Sequence, residues 1–233
     1  MVVTTHQPIF LPWPGFFYKA LCADVMVLLD QVQFPLGRSW LTRNRLKSDQ
    51  GELWLRVPVW KRGKGKQIIA EVTICEESFW RRKHLCSIRQ QYAHAPYLEE
   101  HLPALEAIYG RGQQRLCAFN LDLIRYLWQA LGLSTRLLLQ SELGVSGSGT
   151  ALLVAICRAL QADTYVTLPM VEKYLDLDAF AAAGLAVRFA RFRPPVYPQL
   201  WGDFRYNLSV LDLLLTCGPK SLAIIKRGQA TFS

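Results

Sequence analysis

Residues able to do chemistry gather in four stretches of the chain. The first is the N-terminal run His6-Gln7-Pro8-Ile9-Phe10-Leu11-Pro12-Trp13-Pro14-Gly15-Phe16-Phe17-Tyr18-Lys19. An imidazole donates, accepts or ligates near neutral pH. The Gln7 amide can read a polar edge. Lys19 falls about one turn into a following helix, where its amine could reach a phosphate. The alternative is that three prolines and five aromatics only pack a loop.

The second stretch is Arg38-Ser39-Trp40-Leu41-Thr42-Arg43-Asn44-Arg45. Three arginines interleaved with a tryptophan suit a phosphate or carboxylate clamp. They equally suit stacking on nucleobases, or a solvated basic turn. The third is Lys61-Arg62-Gly63-Lys64-Gly65-Lys66, which lacks the spacing of a Walker A loop. The glycine loop over 144–149 also lacks the lysine, and reads as a plain loop before a capped helix. The fourth lies near the end, in Tyr197-Pro198-Gln199 and Asn207-Leu208-Ser209-Val210-Leu211-Asp212. Asn207 or Ser209 can cap the last helix. Asp212 sits on an otherwise apolar helix, so its carboxylate needs a partner or faces a site.

Several chemistries are disfavoured. His84, His94 and His101 are widely spaced, with no HExxH or HxxxH, so no metal site is expected. There is no GxSxG elbow. The residues identify no cofactor and exclude none. Six cysteines lack a CxxC pair and sit mostly in apolar surroundings, so they read as free thiols. No apolar run reaches the roughly 18 to 20 residues of a bilayer span. Pro8, Pro12 and Pro14 interrupt any signal-peptide helix, which makes the cytoplasm the expected location.

The elements that must position these residues follow from the apolar pattern. The chain has 233 residues, 51% apolar and 19% charged, enough for a sizeable core without disulfides or metal. Residues 2–5 read as a strand, 15–22 as a short helix and 25–30 as a buried strand, a βαβ opening. Strand candidates at 54–59 and 68–74 flank the basic tip and suggest an antiparallel hairpin. Helices are expected over 80–92, 102–109 and 116–131. Strand, helix, strand, helix, strand then alternate over 136–140, 150–161, 164–168, 177–183 and 185–189. A helix over 208–215 closes at Gly218. The pattern predicts an α/β, three-layer fold with a mainly parallel sheet, plus an inserted β-hairpin and helical segment. One domain over 1–233 is expected, with about 50–132 as the insertion or cap. The net charge of +9 favours anionic partners, though in sequence the charges form no long block.

The segments in this order resemble the WbqC-like family of bacterial proteins over nearly the whole chain. The resemblance rests on His6-Gln7-Pro8 with Pro12, Gly15, Phe17 and Lys19, and on Asp24 and Asp30. It continues through Trp40, Arg43-Asn44-Arg45, Val57-Pro58, Trp80, Lys83-His84, Tyr92 and Ala95-Pro96-Tyr97. Asn120, Tyr174-Leu175, Phe180, Tyr197-Pro198-Gln199 and residues 208–214 complete it. One departure is Leu168-Pro169-Met170-Val171-Glu172-Lys173, where the family has a serine- and glycine-rich turn. The resemblance implies a link to surface-polysaccharide (O-antigen) synthesis. It makes Arg43, Asn44, Arg45, Gln199 and Asp212 companions of the opening loop.

The favoured expectation is a transferase acting on an activated small substrate: a nucleotide sugar, or an acyl or aminoacyl donor. His6 would be the general base, oriented by Asp30 or Asp212. Lys19, Arg43 and Arg45 would hold anionic oxygens. Trp13 and Trp40 would wall the pocket, with Gln7, Asn44, Tyr197 and Gln199 binding substrate. A nucleotidyltransferase-like enzyme is a variant, although the second histidine of that loop is missing. The competing class is a non-catalytic binding protein for nucleic acid or a carrier.

Overall fold

A computed structural model describes residues 1–230. Its centre is a five-stranded parallel sheet. The strands are β1 (Val2–His6), β2 (Val25–Leu28), β5 (Arg136–Leu139), β6 (Thr164–Thr167) and β7 (Ala186–Phe189), in the order β5-β2-β1-β6-β7. β1 is central, with Val3 beside Val25 and Tyr165. Every residue of β2 and of β6 is buried. That is why these strands read as continuous apolar or β-branched runs.

Alternate residues of β1 feed two apolar clusters. Val3 joins Val25, Val27 and Tyr165 under α5 (Gly149–Ala159) and α6 (Leu177–Ala182). On the other face, Met26 and Leu28 pack with Phe16 and Phe17 of α1 (Pro14–Leu21). The same cluster extends into α2 (Trp80–Gln91), α3 (Leu98–Gly110) and α4 (Leu116–Ala130). It also takes in α7 (Val210–Cys217) and α8 (Ser221–Arg227). The result is the expected three-layer α/β arrangement with a separate antiparallel hairpin. The strand order runs outward in both directions from β1. The switch point therefore lies between β1 and β6, where doubly wound sheets open a crevice beyond their C-terminal ends.

The hairpin differs from the sequence reading. Its strands are β3 (Arg43–Ser48) and β4 (Gly51–Arg56), paired from Arg43↔Arg56 to Ser48↔Gly51. The expected pair at 54–59 and 68–74 survives only as an isolated Val59↔Ile74 bridge and flanking bonds such as Trp60 N to Thr73 O, 3.0 Å. Residues Ile69–Glu71 turn as a 3-10 helix. The reason is polar camouflage. On the inner face of the hairpin, Leu46 and Leu55 alternate with Asn44 and Ser48, all buried. The outer face carries the arginines that made 38–45 look like a turn.

The loop after β1 enters the core. Ile9, Phe10 and Leu11 are at most 5% exposed, so their backbone groups need internal partners. Prolines at 8, 12 and 14 remove three donors from this demand. The carbonyls find named donors. Asn120 Nδ2 donates to Pro8 O and to Leu41 O, both at 2.8 Å. Asn44 Nδ2 donates to Leu11 O at 2.6 Å and Phe10 O at 3.3 Å. Val210 N donates to Pro12 O at 2.8 Å, and Phe10 N donates to Trp40 O at 2.9 Å. Leu11 holds a left-handed φ of 43° to make this turn. Trp13 folds back over Gly15, where an added Cβ would sit 2.1 Å from the indole ring.

Asn120 therefore stabilises two buried carbonyls on separate segments. Asn120→Ala should lower the unfolding free energy by about 2–6 kcal/mol, because each of the two orphaned buried acceptors costs roughly 1–3 kcal/mol. Urea unfolding followed by circular dichroism checks this. A loss below about 0.5 kcal/mol would show that the loop does not depend on this side chain.

Candidate functional site

β1 delivers His6 to the C-terminal edge of the sheet, and α1 returns to lay Lys19 against the same strand. The His6 ring packs edge-on to Phe16, with centroids 4.9 Å apart. Its Nδ1 is 2.8 Å from the Gln7 carbonyl. A carbonyl only accepts, so the proton sits on Nδ1 and Nε2 keeps its lone pair. No described residue hydrogen-bonds Nε2. Burial, then the neighbouring Lys19 amine, lower the His6 pKa to about 3. The imidazole is neutral at physiological pH.

Lys19 is only 4% exposed. Its Nζ donates to the Thr5 carbonyl at 2.5 Å. No acidic side chain forms an ion pair with it among the described residues. Burial lowers its pKa to about 7. An amine with no counter-charge is an unusual tenant of a core, since buried charges are ordinarily paired. The neutral imidazole and this amine lie together at the C-terminal end of β1, both with strongly lowered pKa values.

The other residues picked out in the sequence fall elsewhere. Asp30, at the end of β2, accepts from Ser141 N at 3.0 Å and Gln31 Nε2 at 3.1 Å, so it ties β2 to the turn after β5. Asp212 is fully buried in α7 and accepts from Tyr92 Oη at 2.5 Å and Tyr197 Oη at 2.8 Å. Burial raises the Asp212 pKa, opposed by the two tyrosine bonds and Lys47. Neither carboxylate hydrogen-bonds His6. Gln199 closes its own loop, donating to Arg205 O at 2.8 Å and accepting from Arg205 N at 2.9 Å. The Asn44 amide serves the buried loop, as described above. Trp13 packs edge-on against Phe192 at 5.7 Å.

Trp40, Arg43 and Arg45 form a separate group on the outer face of the hairpin. There they meet Trp54, a residue the sequence reading assigned only to a strand. Trp40 and Trp54 stack at 5.9 Å. The Arg43 guanidinium lies 4.9 Å from the Trp54 ring and 6.0 Å from the Trp40 ring. Arg45 sits 5.9 Å from Trp54 and pairs with Glu52 at 2.6 Å. The signal that could have found Trp54 is register: it faces Arg45 directly across the ladder.

The structure thus brings His6, Gln7 and Lys19 together, gathers Trp40, Arg43 and Arg45 on the hairpin, and buries Asp212 with Tyr197. Among the described residues, no group of three or more His, Cys, Asp or Glu is arranged to hold a metal. None of the described helices is long and apolar enough to cross a membrane. Fold and site together define a doubly wound α/β protein with a neutral histidine and an unpaired buried lysine at its switch point. Residues 7–224 match the WbqC-like protein family, and the chain belongs to that family. It is also 31% identical over 223 residues to the uncharacterized protein Rv1507c of Mycobacterium tuberculosis, a span covering 94% of this chain and 95% of that one. No solved structure matches the chain.

The Lys19 environment makes a signed prediction about stability. Its folded pKa lies near 7 and its ordinary value near 10.5. Below pH 7 the folded state must bury a charge. Between pH 7 and 10.5 the unfolded chain holds more protons, so the Lys19 contribution to stability rises with pH by up to about 1.4 kcal/mol per unit. Lys19→Met removes this dependence. The variant should be more stable than the parent at pH 6, and its advantage should shrink steadily from pH 7 to pH 10. A pH-independent difference in urea midpoints would mean that the amine is not desolvated.

Proposed function

We propose that this protein is a transferase that uses an activated small donor bearing phosphate or carboxylate oxygens. The observation that carries the reading is the unpaired Lys19 amine beside a neutral His6 at the switch point. An anionic oxygen supplies the counter-charge that Lys19 lacks. Its arrival also draws a proton onto the amine and offsets the Lys19 share of what keeps His6 weakly basic, the larger share being burial. Nε2 of His6 then takes the proton of an acceptor hydroxyl or amine as that atom attacks the donor carbon. The bond from donor carbon to leaving group breaks, and the leaving group departs with the electron pair. Gln7, beside His6, orients the donor through its amide.

Family membership supports a setting in surface-polysaccharide assembly, with the donor a nucleotide sugar or an acyl or aminoacyl compound. Such donors place the reaction in the cytoplasm. One apolar cluster joins Phe16, Leu46, Leu105 and Leu214, which supports a single working unit over 1–233 with about 50–132 as its cap.

Two measurements test the reading. His6→Gln should abolish group transfer to a sugar acceptor bearing a free hydroxyl or amine, followed by mass spectrometry over a panel of the three donor types. Its melting temperature should stay within a few degrees of the parent. Transfer at the parental rate would remove His6 from the chemistry. Sulfate, whose charge is constant across neutral pH, reports on Lys19 separately. Its affinity by calorimetry should fall about tenfold per pH unit above pH 7, because binding then requires proton uptake. An affinity that does not change with pH, or is retained in Lys19→Met, would dismiss Lys19 as the anion anchor.

A further inference from the structure

The cationic excess of the chain is concentrated in the hairpin and the segments that flank it. Residues 33–66 hold nine lysines and arginines against two acids, a net +7 of the chain's +9. Alternation along β3 and β4 puts Arg43, Arg45, Trp54 and Arg56 on one face. Glu52 neutralises Arg45. Arg43, Arg56 and Lys61 have no acidic partner among the described residues. Arg43 stands directly opposite Arg56, and like charges in that position repel. Burial first, then repulsion from Arg56, lower the Lys61 pKa, so Lys61 continues the cationic line. Lys61 Nζ donates to Gly37 O at 2.9 Å, beside Arg38. The exposed basic segment 61–66 extends from there.

Aromatic surface lies within this line. Trp40 is 48% exposed and Trp54 45% exposed, and their rings stack on one another with guanidinium groups alongside. A line of cations beside an open aromatic platform matches a polyanion with flat apolar faces. Each unstacked base has such a face, whereas bases within a duplex are already stacked.

We propose that the outer face of the β3–β4 hairpin, with the adjoining segment 61–66, binds single-stranded nucleic acid. A base stacks on the Trp40–Trp54 pair, and the phosphates on either side lie on Arg43, Arg56 and Lys61. Binding relieves the Arg43–Arg56 repulsion that the free protein carries. This surface is independent of the transferase reading, since it uses neither His6 nor Lys19.

Fluorescence anisotropy with a labelled 20-nucleotide oligouridylate at 50 mM salt tests it. Saturable binding is expected, weaker for a duplex of equal length. The slope of log affinity against log salt should be about −2 to −3.5, for three to five phosphates. Replacing both tryptophans, Trp40→Ala with Trp54→Ala, should weaken binding at least about tenfold. Arg56→Gln is a surface change that leaves the core untouched, and should make the slope shallower by about 0.7. It decides the matter if the tryptophan variant does not fold. No binding, equal affinity for duplex, or an unchanged slope in Arg56→Gln would overturn the proposal. Binding to vesicles rich in anionic lipid, without binding to the oligonucleotide, would overturn it in favour of a membrane surface.

Discussion

The architecture depends on keeping the carbonyls of one buried loop hydrogen-bonded. After β1 the chain does not cross the surface, as most loops do, but passes through the interior. That route is tolerable because prolines remove donors and two asparagine side chains supply what the carbonyls require. Asn44 comes from the hairpin and Asn120 from α4. The same polar demand therefore joins the parallel sheet, the hairpin and the helical segment. α7 joins them through Val210 N and Pro12 O. The left-handed Leu11 is the local strain that this connection sustains.

Two buried ionisable groups show opposite solutions to desolvation. Asp212 is surrounded by donors: two tyrosine hydroxyls, with Lys47 nearby. Its role is complete within the fold, joining α7 to Tyr92 after α2 and to the segment around Tyr197. Lys19 has one carbonyl and no anion. Its burial costs stability at neutral pH and below, with nothing inside the described structure to offset it. The asymmetry is the ground for proposing Lys19, rather than Asp212, as the group that meets an external partner.

The hairpin shows a second unresolved tension, on the surface. Its inner face obeys the core, with Leu46 and Leu55 packed away. Its outer face sets Arg43 against Arg56 and leaves two tryptophans in solvent. The Arg43–Arg56 pairing does not help the hairpin fold, whereas the stacked tryptophans do, so only the former is a cost. The two tensions occupy different places and concern different groups, so one does not explain the other.

Much of the parallel sheet was legible because its strands are buried on both faces. Runs such as Val25–Leu28 declare themselves by continuous apolar character, and Gly184 marks the end of α6 by its left-handed φ of 71°. His6 at the edge of β1 was legible for the same reason, since a strand followed by Pro8 must end there. The hairpin was not legible, because Asn44 and Ser48 are polar residues on a buried face. Their burial depends on partners far along the chain. Nor could sequence decide which polar residues were already satisfied. Asp30, Asp212, Gln199 and Asn44 look as reactive as His6 and Lys19 until their hydrogen bonds are traced. Local periodicity and composition are enough for the layers and the inventory of charge, whereas the switch point follows from the strand order β5-β2-β1-β6-β7, which is a matter of long-range pairing. Which polar groups are satisfied emerges in three dimensions alone, because it depends on the distance between residues as remote as Tyr92 and Asp212.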